Sequence, residues 1–325
     1  VRDLVTRSGD KPTVLVLYRT LEYPLRATIA DHLLAFRRYA DANCVYANVS
    51  FRNDIRRLAR TKPDLVVFDT TLLSSRVRYE RFRRLMDKLE PLAALPGVRV
   101  ALPQDEHVHT EILAEFVDRL AVNVVYSVAP ESEWPKIYAG VDTSRVAFER
   151  ILTGYLEPAT LTRIERAAQG VRQRDIDIGY RVHGTRFSLG RHGRLKISLA
   201  DAFLDAARGR DDLRVDISTR FEDTFLGDSW YRFLLRCRFV LGIEGGASVL
   251  DPDGSVGRRT GDYAAAHPDA SFEEIEAACF PGLDGALDLR AISPRHLEAC
   301  ATRTGQLLVE GDYNGILEPN VHYFP

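Results

Sequence analysis

The chain has 325 residues, more than one ordinary core accommodates, so two domains of about 100–200 residues each are expected. With 45% hydrophobic and 28% charged residues it reads as a soluble globular protein, and no run nears the roughly 18 apolar residues of a membrane span. A net charge of −2 argues against bulk nucleic-acid binding.

The charge is uneven. Residues 1–155 hold 23 Lys and Arg against 20 Asp and Glu, whereas 156–325 hold 21 against 26. Basic residues gather in RVRYERFRRLMDKLE (76–90). That stretch reads either as a solvated helix face or as a surface for an anionic membrane or acceptor. Cys44, Cys237, Cys279 and Cys300 form no C-x-x-C pair, which fits reduced structural thiols. The start, VRDLVTRSGDKP, has no apolar h-region, so the cytoplasm is expected, with peripheral contact at the inner membrane face through 76–90 as an option. A first residue Val1 and an abrupt stop at Pro325 suggest a trimmed sequence.

TVLVLYR (13–19) is a β-branched apolar run and reads as a buried strand. A helix follows over 24–40, carrying Leu25, Ile29, Leu33, Leu34 and Phe36 at helical spacing. CVYANVS (44–50) predicts a strand, NDIRRLARTK a helix, DLVVFDT (64–70) a strand and 76–94 a helix. GVRVALPQD (97–105) predicts a strand, HTEILAEFVDRLA a helix and VNVVYSVA (122–129) a strand. RVAFERILTGYLEPATL (145–161) carries the chain out of this unit. The alternation then restarts. DIDIGYR (175–181), LRVDIST (213–219), RFVLGIEGG (238–246) and QLLVEGDY (306–313) read as strands. KISLADAFLDAARG (196–209), DSWYRFLLRC (228–237) and SPRHLEACATRTG (293–305) read as helices, the last with Ser293 as N-cap and Pro294 at its first position. This pattern predicts an α/β fold of two doubly wound parallel-sheet domains, 1–155 and 156–325, facing a cleft. Such sheets bind ligands at the carboxyl ends of their strands.

The richest stretch is 293–320, SPRHLEACATRTGQLLVEGDYNGILEPN. A capped helix directs partial positive charge at one spot, where anionic oxygens can sit near Ser293, Arg295 and His296. Glu298 lies about one turn inside and reads either as a ribose acceptor or as a surface residue. Gly179 and Tyr180 end a strand before Arg181, as a ligand approach or a plain turn. Arg181 by itself reads as an ordinary surface salt-bridge residue. Lys196 stands out because the chain has 5 Lys against 39 Arg. Gly245 and Gly246, after Glu244, fit a phosphate or sugar loop and equally a tight turn.

LEACATRTGQLL resembles the "glutamate, small residues, threonine, apolar strand" segment of GT-B glycosyltransferases of the group 1/family 4-like kind. GDYNGILEPNVHYFP is similar to a "G-x-Y-x-G-I-L-x-P-x-x-H-Y" ending in bacterial members of that group. DIDIGYR with LGRHGRLKI, VLGIEGGASVLDPDGS and, in the first half, LPQDEH also resemble segments of that family. The resemblance implies two Rossmann-like domains, an acceptor domain (1–155) and a nucleotide-sugar donor domain (156–325). It implies that Glu298 holds the donor ribose and that Arg181 and Lys196 neutralise a diphosphate, with UDP- or GDP-linked sugars as donors, a glycan or lipid-linked acceptor, and no metal or cofactor. Many retaining members carry two glutamates separated by seven residues; here the first would fall on Arg290, which puts the retaining assignment in doubt and leaves Glu244 as a substitute carboxylate.

A general base would have to lie near the acceptor hydroxyl. Asp105 and His107, flanking Glu106 after a strand, suit base or acceptor contact, and equally a helix-capping cluster; His109 reads as merely exposed. Asp251-Pro-Asp253 and Asp175-Ile-Asp177 match D-x-D, a short pattern that acidic turns produce by chance. Beside a glycosyltransferase, the sequence admits a nucleotide-sugar epimerase of the same fold or a non-catalytic nucleotide-sugar binder. Periplasmic-type ligand binding would need an export signal.

Overall fold

The computed structural model describes residues 11–325 apart from 22–24, 26, 52–54, 172, 185 and 226. The chain divides into two compact units. One runs to Ile151 and includes Asp251–Gly254; the other holds Leu152–Leu250 and Ser255–Pro325. Both are α/β with parallel sheets.

The first unit runs β1 (Thr13–Tyr18), α1 (Ala27–Tyr39), β2 (Asn43–Asn48), α2 (Ile55–Ala59), β3 (Leu65–Phe68), α3 (Thr70–Leu73), α4 (Tyr79–Leu89), β4 (Val98–Ala101), α5 (Thr110–Arg119), β5 (Val124–Ser127), α6 (Trp134–Ile137) and β6 (Ala147–Arg150). The sheet order is β2-β1-β3-β4-β5-β6, all parallel. A strand covered on both faces must be apolar on both. Accordingly Val14 and Val16 join a core with Leu33, Val67, Val100 and Leu102, while the alternate Leu15 and Leu17 are fully buried too. The helix expected over 76–94 is interrupted: a 3-10 turn spans Ser74–Val77, Arg78 leaves helical geometry, and Pro91 falls in a second 3-10 turn after α4. RVAFER, read as an exit segment, contributes β6. Its alternating exposure is that of an edge strand.

The second unit runs α7 (Pro158–Gln169), β7 (Ile176–Arg181), α8 (Gly190–Ala206), β8 (Val215–Ser218), α9 (Asp228–Arg236), β9 (Cys237–Gly242), β10 (Gly245–Ala247), α10 (Ser255–Ala266), α11 (Phe272–Cys279), β11 (Leu289–Ala291), α12 (Pro294–Ala301) and β12 (Gly305–Leu308). Its sheet order is β12-β9-β7-β8, all parallel, and β10 pairs antiparallel with β11. Three expectations are corrected here. The helix predicted from 196 begins at Gly190, because Asp284 and the Ser248 hydroxyl accept from the Arg191 and His192 amides and so satisfy its first turn. The strand predicted over 238–246 breaks after Gly242, and its glycines pair with β11 instead. The strand predicted over 306–313 stops at Leu308, since Glu244 captures the Tyr313 amide in a turn. Helices α10 and α11 have no counterpart in the sequence reading.

In β12-β9-β7-β8 the chain goes from β7 to one side for β8, then to the other for β9. The carboxyl ends of β7 and β9 therefore flank the point where strand order reverses, which is where open parallel sheets leave a crevice. The β2-β1-β3 order makes the same kind of point between β1 and β3. Among the described residues no helix is long and apolar enough to cross a membrane, and all four cysteines are free thiols.

Candidate functional site

A pocket of 280 Å³ opens at the carboxyl ends of β7 and β9, near the lower end of the roughly 300–1,000 Å³ typical of small-molecule sites. Its lining comes from the second unit: Gly179, Tyr180, Arg181 and His183 after and along β7, Lys196 on α8, Trp230 on α9, Gly242 and Gly245, Gln306 on β12, and Ser293, Arg295 and His296 at the start of α12. The donor-site residues read from the sequence thus meet in one place, apart from Gly246 and Glu298, which are not part of the lining.

Chain geometry explains the convergence. Gly179 has no room for a side chain, since a Cβ there would meet the Phe233 ring at 2.8 Å. Gly242 is similar, with Leu308 at 2.7 Å and His296 at 3.0 Å. α9 and α12 therefore pack close against the strand ends. The Ser293 hydroxyl accepts from the Arg295 amide (3.4 Å) and Pro294 occupies the first turn.

The charged groups differ in how they are engaged. Arg181 is buried. It donates to Asp216 Oδ1 at 2.6 Å and to the carbonyls of Tyr180, Asp216 and Asp223, with its guanidinium against the rings of Phe233 (4.5 Å) and Phe225 (4.9 Å). Arg295 is exposed; one nitrogen donates to the Arg181 carbonyl at 2.5 Å and its guanidinium lies 5.3 Å from the Trp230 ring centre. The Tyr180 hydroxyl donates to the Lys196 carbonyl (3.2 Å), and burial pushes the phenol up to about 12. His296 is 4% exposed, with its ring nitrogens 3.2 Å from Gln306 Oε1 and 3.3 Å from the Ile243 carbonyl. Burial lowers its pKa, so it is neutral at pH 7.

Glu298 lies behind the pocket. Its Oε2 accepts from Trp230 Nε1 at 2.8 Å, and burial raises its pKa against the opposing effect of that bond. Glu244 is 2% exposed and accepts from the Tyr313 amide at 2.8 Å; burial raises its pKa too. Its carboxylate thus anchors the 311–313 turn. Gly246, at φ +139°, pairs with Arg290 across the β10–β11 ladder. Arg290 itself is held by Asp288 at 2.6 Å. Trp230, His183 and Gln306 went unread in the sequence. Trp230 is one of two tryptophans in the chain, but its register in DSWYRFLLRC reads only as an amphipathic helix.

Asp105 and His107 belong to the first unit. Asp105 is exposed at φ +52°, and its carbonyl accepts from Arg76 at 2.6 Å. The His107 carbonyl accepts from the Asp251 amide at 2.8 Å. Between them Glu106 is fully buried, accepting from the Ser127 hydroxyl (2.6 Å), the Val128 amide (2.8 Å) and the Tyr138 hydroxyl. His109 is not exposed as expected: it is 8% exposed, in left-handed geometry before α5, with its ring against Gly254. Asp175 and Asp177 are tied to Arg236 (2.5 Å) and Arg214 (3.2 Å), and Asp251 is buried. Among the described residues no three or more His, Cys, Asp or Glu side chains are grouped to hold a metal ion.

Compared with known protein families and with curated proteins, the chain matches none.

Proposed function

We propose that the chain is a glycosyltransferase of the GT-B kind, and that the second-unit pocket receives the nucleotide of a UDP- or GDP-linked sugar donor. One observation supports this above the others. Four segments that resemble the family, DIDIGYR, LGRHGRLKI, the VLGIEGG loop and LEACATRTGQLL, contribute Arg181, Lys196, Gly242 and Gln306 to a single pocket at the strand-order reversal. A departing nucleoside diphosphate accumulates negative charge, and preorganised cations lower that cost. Arg295, Lys196 and the start of α12 are the groups suited to it. The Trp230 ring lines the pocket beside Arg295 and suits apolar contact with a base. Arg181 frames the site, with its own charge balanced by Asp216. Glu298 acts on the pocket through Trp230, and so is a positioning residue in this reading. Asp105 and His107 stay as proposed base or acceptor contacts, with a glycan or lipid-linked acceptor.

The test is calorimetric titration with UDP, GDP and their sugars, followed by a product assay. Loss of a hydrogen bond to a charged group costs about 1.5–3 kcal/mol, so Arg295→Ala should weaken nucleotide binding roughly 10–150-fold. Wild-type affinity in that variant would remove the assignment. Conversion of the nucleotide sugar without acceptor would mark an epimerase. A non-catalytic binder is the second reading, favoured by Arg290: where many retaining members carry a glutamate, this chain has a cation paired with Asp288. Donor binding without turnover across an acceptor panel would select it.

A further inference from the structure

The first unit holds a cavity of 390 Å³ that the reading above leaves unused. One wall is α5, and the rest comes from the end of α6, the residues just after it, and Pro252, which belongs to the same unit. Glu111, Glu115 and Asp118 stand on α5 at spacings of four and three, so they share one helix face, and all three line the cavity. At the helical rise the row runs about 10 Å along the axis, with its middle member about 6 Å from the first. Ala114, Ile137 and Ala139 supply small apolar surface beside it.

The three carboxylates differ in how they are engaged. Glu115, in the middle, is held by Arg83 at 2.8 Å and by Arg119 at 3.5 Å. Asp118 meets Arg145 at 3.7 Å, a loose pair in which both side chains are 61% exposed. Glu111 is exposed and has no ion pair among the described residues. Lys136, the cation of the lining, donates to both carboxylate oxygens of Glu133 (2.8 and 3.1 Å), so its charge is already balanced.

A second observation is independent of charge. Thr110, the first residue of α5, is 4% exposed and lines the same cavity. Its hydroxyl has no hydrogen-bond partner among the described residues. A buried hydroxyl left without a partner is costly, and a polar group of a ligand would relieve that cost. The amide beside it is not open to an anion, because the Glu111 N–H donates to the Pro252 carbonyl at 3.2 Å.

We propose that this cavity binds a linear polyamine, with its terminal ammonium groups at Glu111 and Asp118 and its methylenes over Ala114, Ile137 and Ala139. The ends of the carboxylate row set the sign of the ligand. Their separation of about 10 Å calls for two ammonium groups on one chain rather than a single compact cation. An ammonium has three donors, so the one at Glu111 can also donate to the Thr110 hydroxyl oxygen. The apolar stem of such a chain suits the small apolar wall. The site shares no residue with the nucleotide pocket and stands or falls separately.

Titration calorimetry of the full chain tests it, with spermidine as probe and with 1,4-diaminobutane, trilysine, and magnesium chloride at matched ionic strength as comparators. One spermidine should bind per chain, more tightly than diaminobutane, which is too short to reach both ends of the row. Exposed ion pairs are weak, so Glu111→Gln and Asp118→Asn should each weaken spermidine about two- to fivefold. Thr110→Val should weaken it by a similar factor, and Thr110→Ser should restore wild-type affinity. Ala139→Phe should abolish binding by filling the cavity. Absence of a saturable heat, unchanged affinity in Ala139→Phe, or equal binding of magnesium would overturn the proposal, and tighter binding of trilysine would overturn it in favour of a basic protein partner. Positions 111, 118 and 139 are exposed, so these variants guard against a Thr110 variant that does not fold. Added UDP or GDP should leave the spermidine affinity unchanged, so a failure of the nucleotide pocket is seen separately.

Discussion

Replacement of Glu298 separates two ways in which one carboxylate serves a nucleotide. Its Oε2 receives the Trp230 indole N–H at 2.8 Å, and the residue is 8% exposed. Glu298→Gln keeps an acceptor for the indole and removes the buried charge. Glu298→Ala removes the acceptor, releasing a half-buried ring that must be reordered on binding. Immobilising one such side chain costs about 0.5–1.5 kcal/mol, so the alanine variant should bind UDP or GDP about 2–13-fold more weakly, and the glutamine variant close to wild type. Trp230→Phe should weaken binding too, and the double variant should be less than additive. Titration calorimetry reads all four proteins. A glutamine variant tenfold or more weaker than wild type would refute the positioning role and make the carboxylate a direct ribose ligand. The pH dependence gives an independent check. Burial raises the native pKa above 4.5, so the native state holds the proton over a window where the unfolded chain has lost it. Stability contributed by the protonated group is therefore lost as pH rises from the unfolded value through the raised native one. Urea unfolding should show Glu298→Gln gaining on wild type across that window and holding a constant margin above it.

Three further outcomes follow from packing. Gly246→Ala should destabilise the second unit by about 2–6 kcal/mol, because strain at φ +139° adds to the clash of a Cβ with the Leu289 carbonyl oxygen and, at 2.8 Å, its carbon. Gly209→Ala, at φ +76° in open space, should cost only about 1–2 kcal/mol; equal melting of the two would contradict the clash. Arg76 is 1% exposed and donates to the carbonyls of Leu73, Gln104, Asp105 and Val108, so Arg76→Leu should cost about 3–5 kcal/mol in denaturant unfolding. A loss under 1 kcal/mol would mean that water replaces the guanidinium. Asp216→Asn should leave Arg181 with an unbalanced charge beside the pocket and tighten nucleotide binding several-fold; weaker binding would show that Arg181 geometry matters more than its charge.

Alternation of apolar runs made the parallel sheets legible, since strands buried on both faces, such as TVLVLY, carry little else. β6 was not legible: an edge strand of four residues with alternate exposure looks like a connecting segment. Capping chemistry located α12, because Ser293 and Pro294 are adjacent in sequence. The start of α8 was hidden because its first amides are satisfied by Ser248 and Asp284, far along the chain. The same distinction runs through the site. Residues next to strand ends, Gly179 to Arg181, could be read from pattern alone. The partner that determines what Glu298 does is Trp230, 68 positions away.

That dependence on partners divides the charged groups around the pocket into two sets. Arg181, Glu298, Glu244 and His296 are buried, and each meets an internal partner that offsets its desolvation. Such groups cannot turn to an incoming ligand without leaving a partner orphaned, so they fix the shape of the pocket. Arg295 and His183 are exposed, and Lys196 is half-buried. Groups of this second kind keep much of their hydration until a ligand displaces it, and can then meet its charge at little internal cost. Residue type alone made Arg181 and Arg295 equivalent candidates for a diphosphate. Their surroundings separate them: Asp216 pairs with Arg181 at 2.6 Å, while among the described residues Arg295 forms no ion pair, donating to a carbonyl and lying over Trp230 with Glu298 within electrostatic reach. The second arginine is therefore the one whose removal should be felt by a nucleotide, and the first is the one whose removal should be felt by the fold.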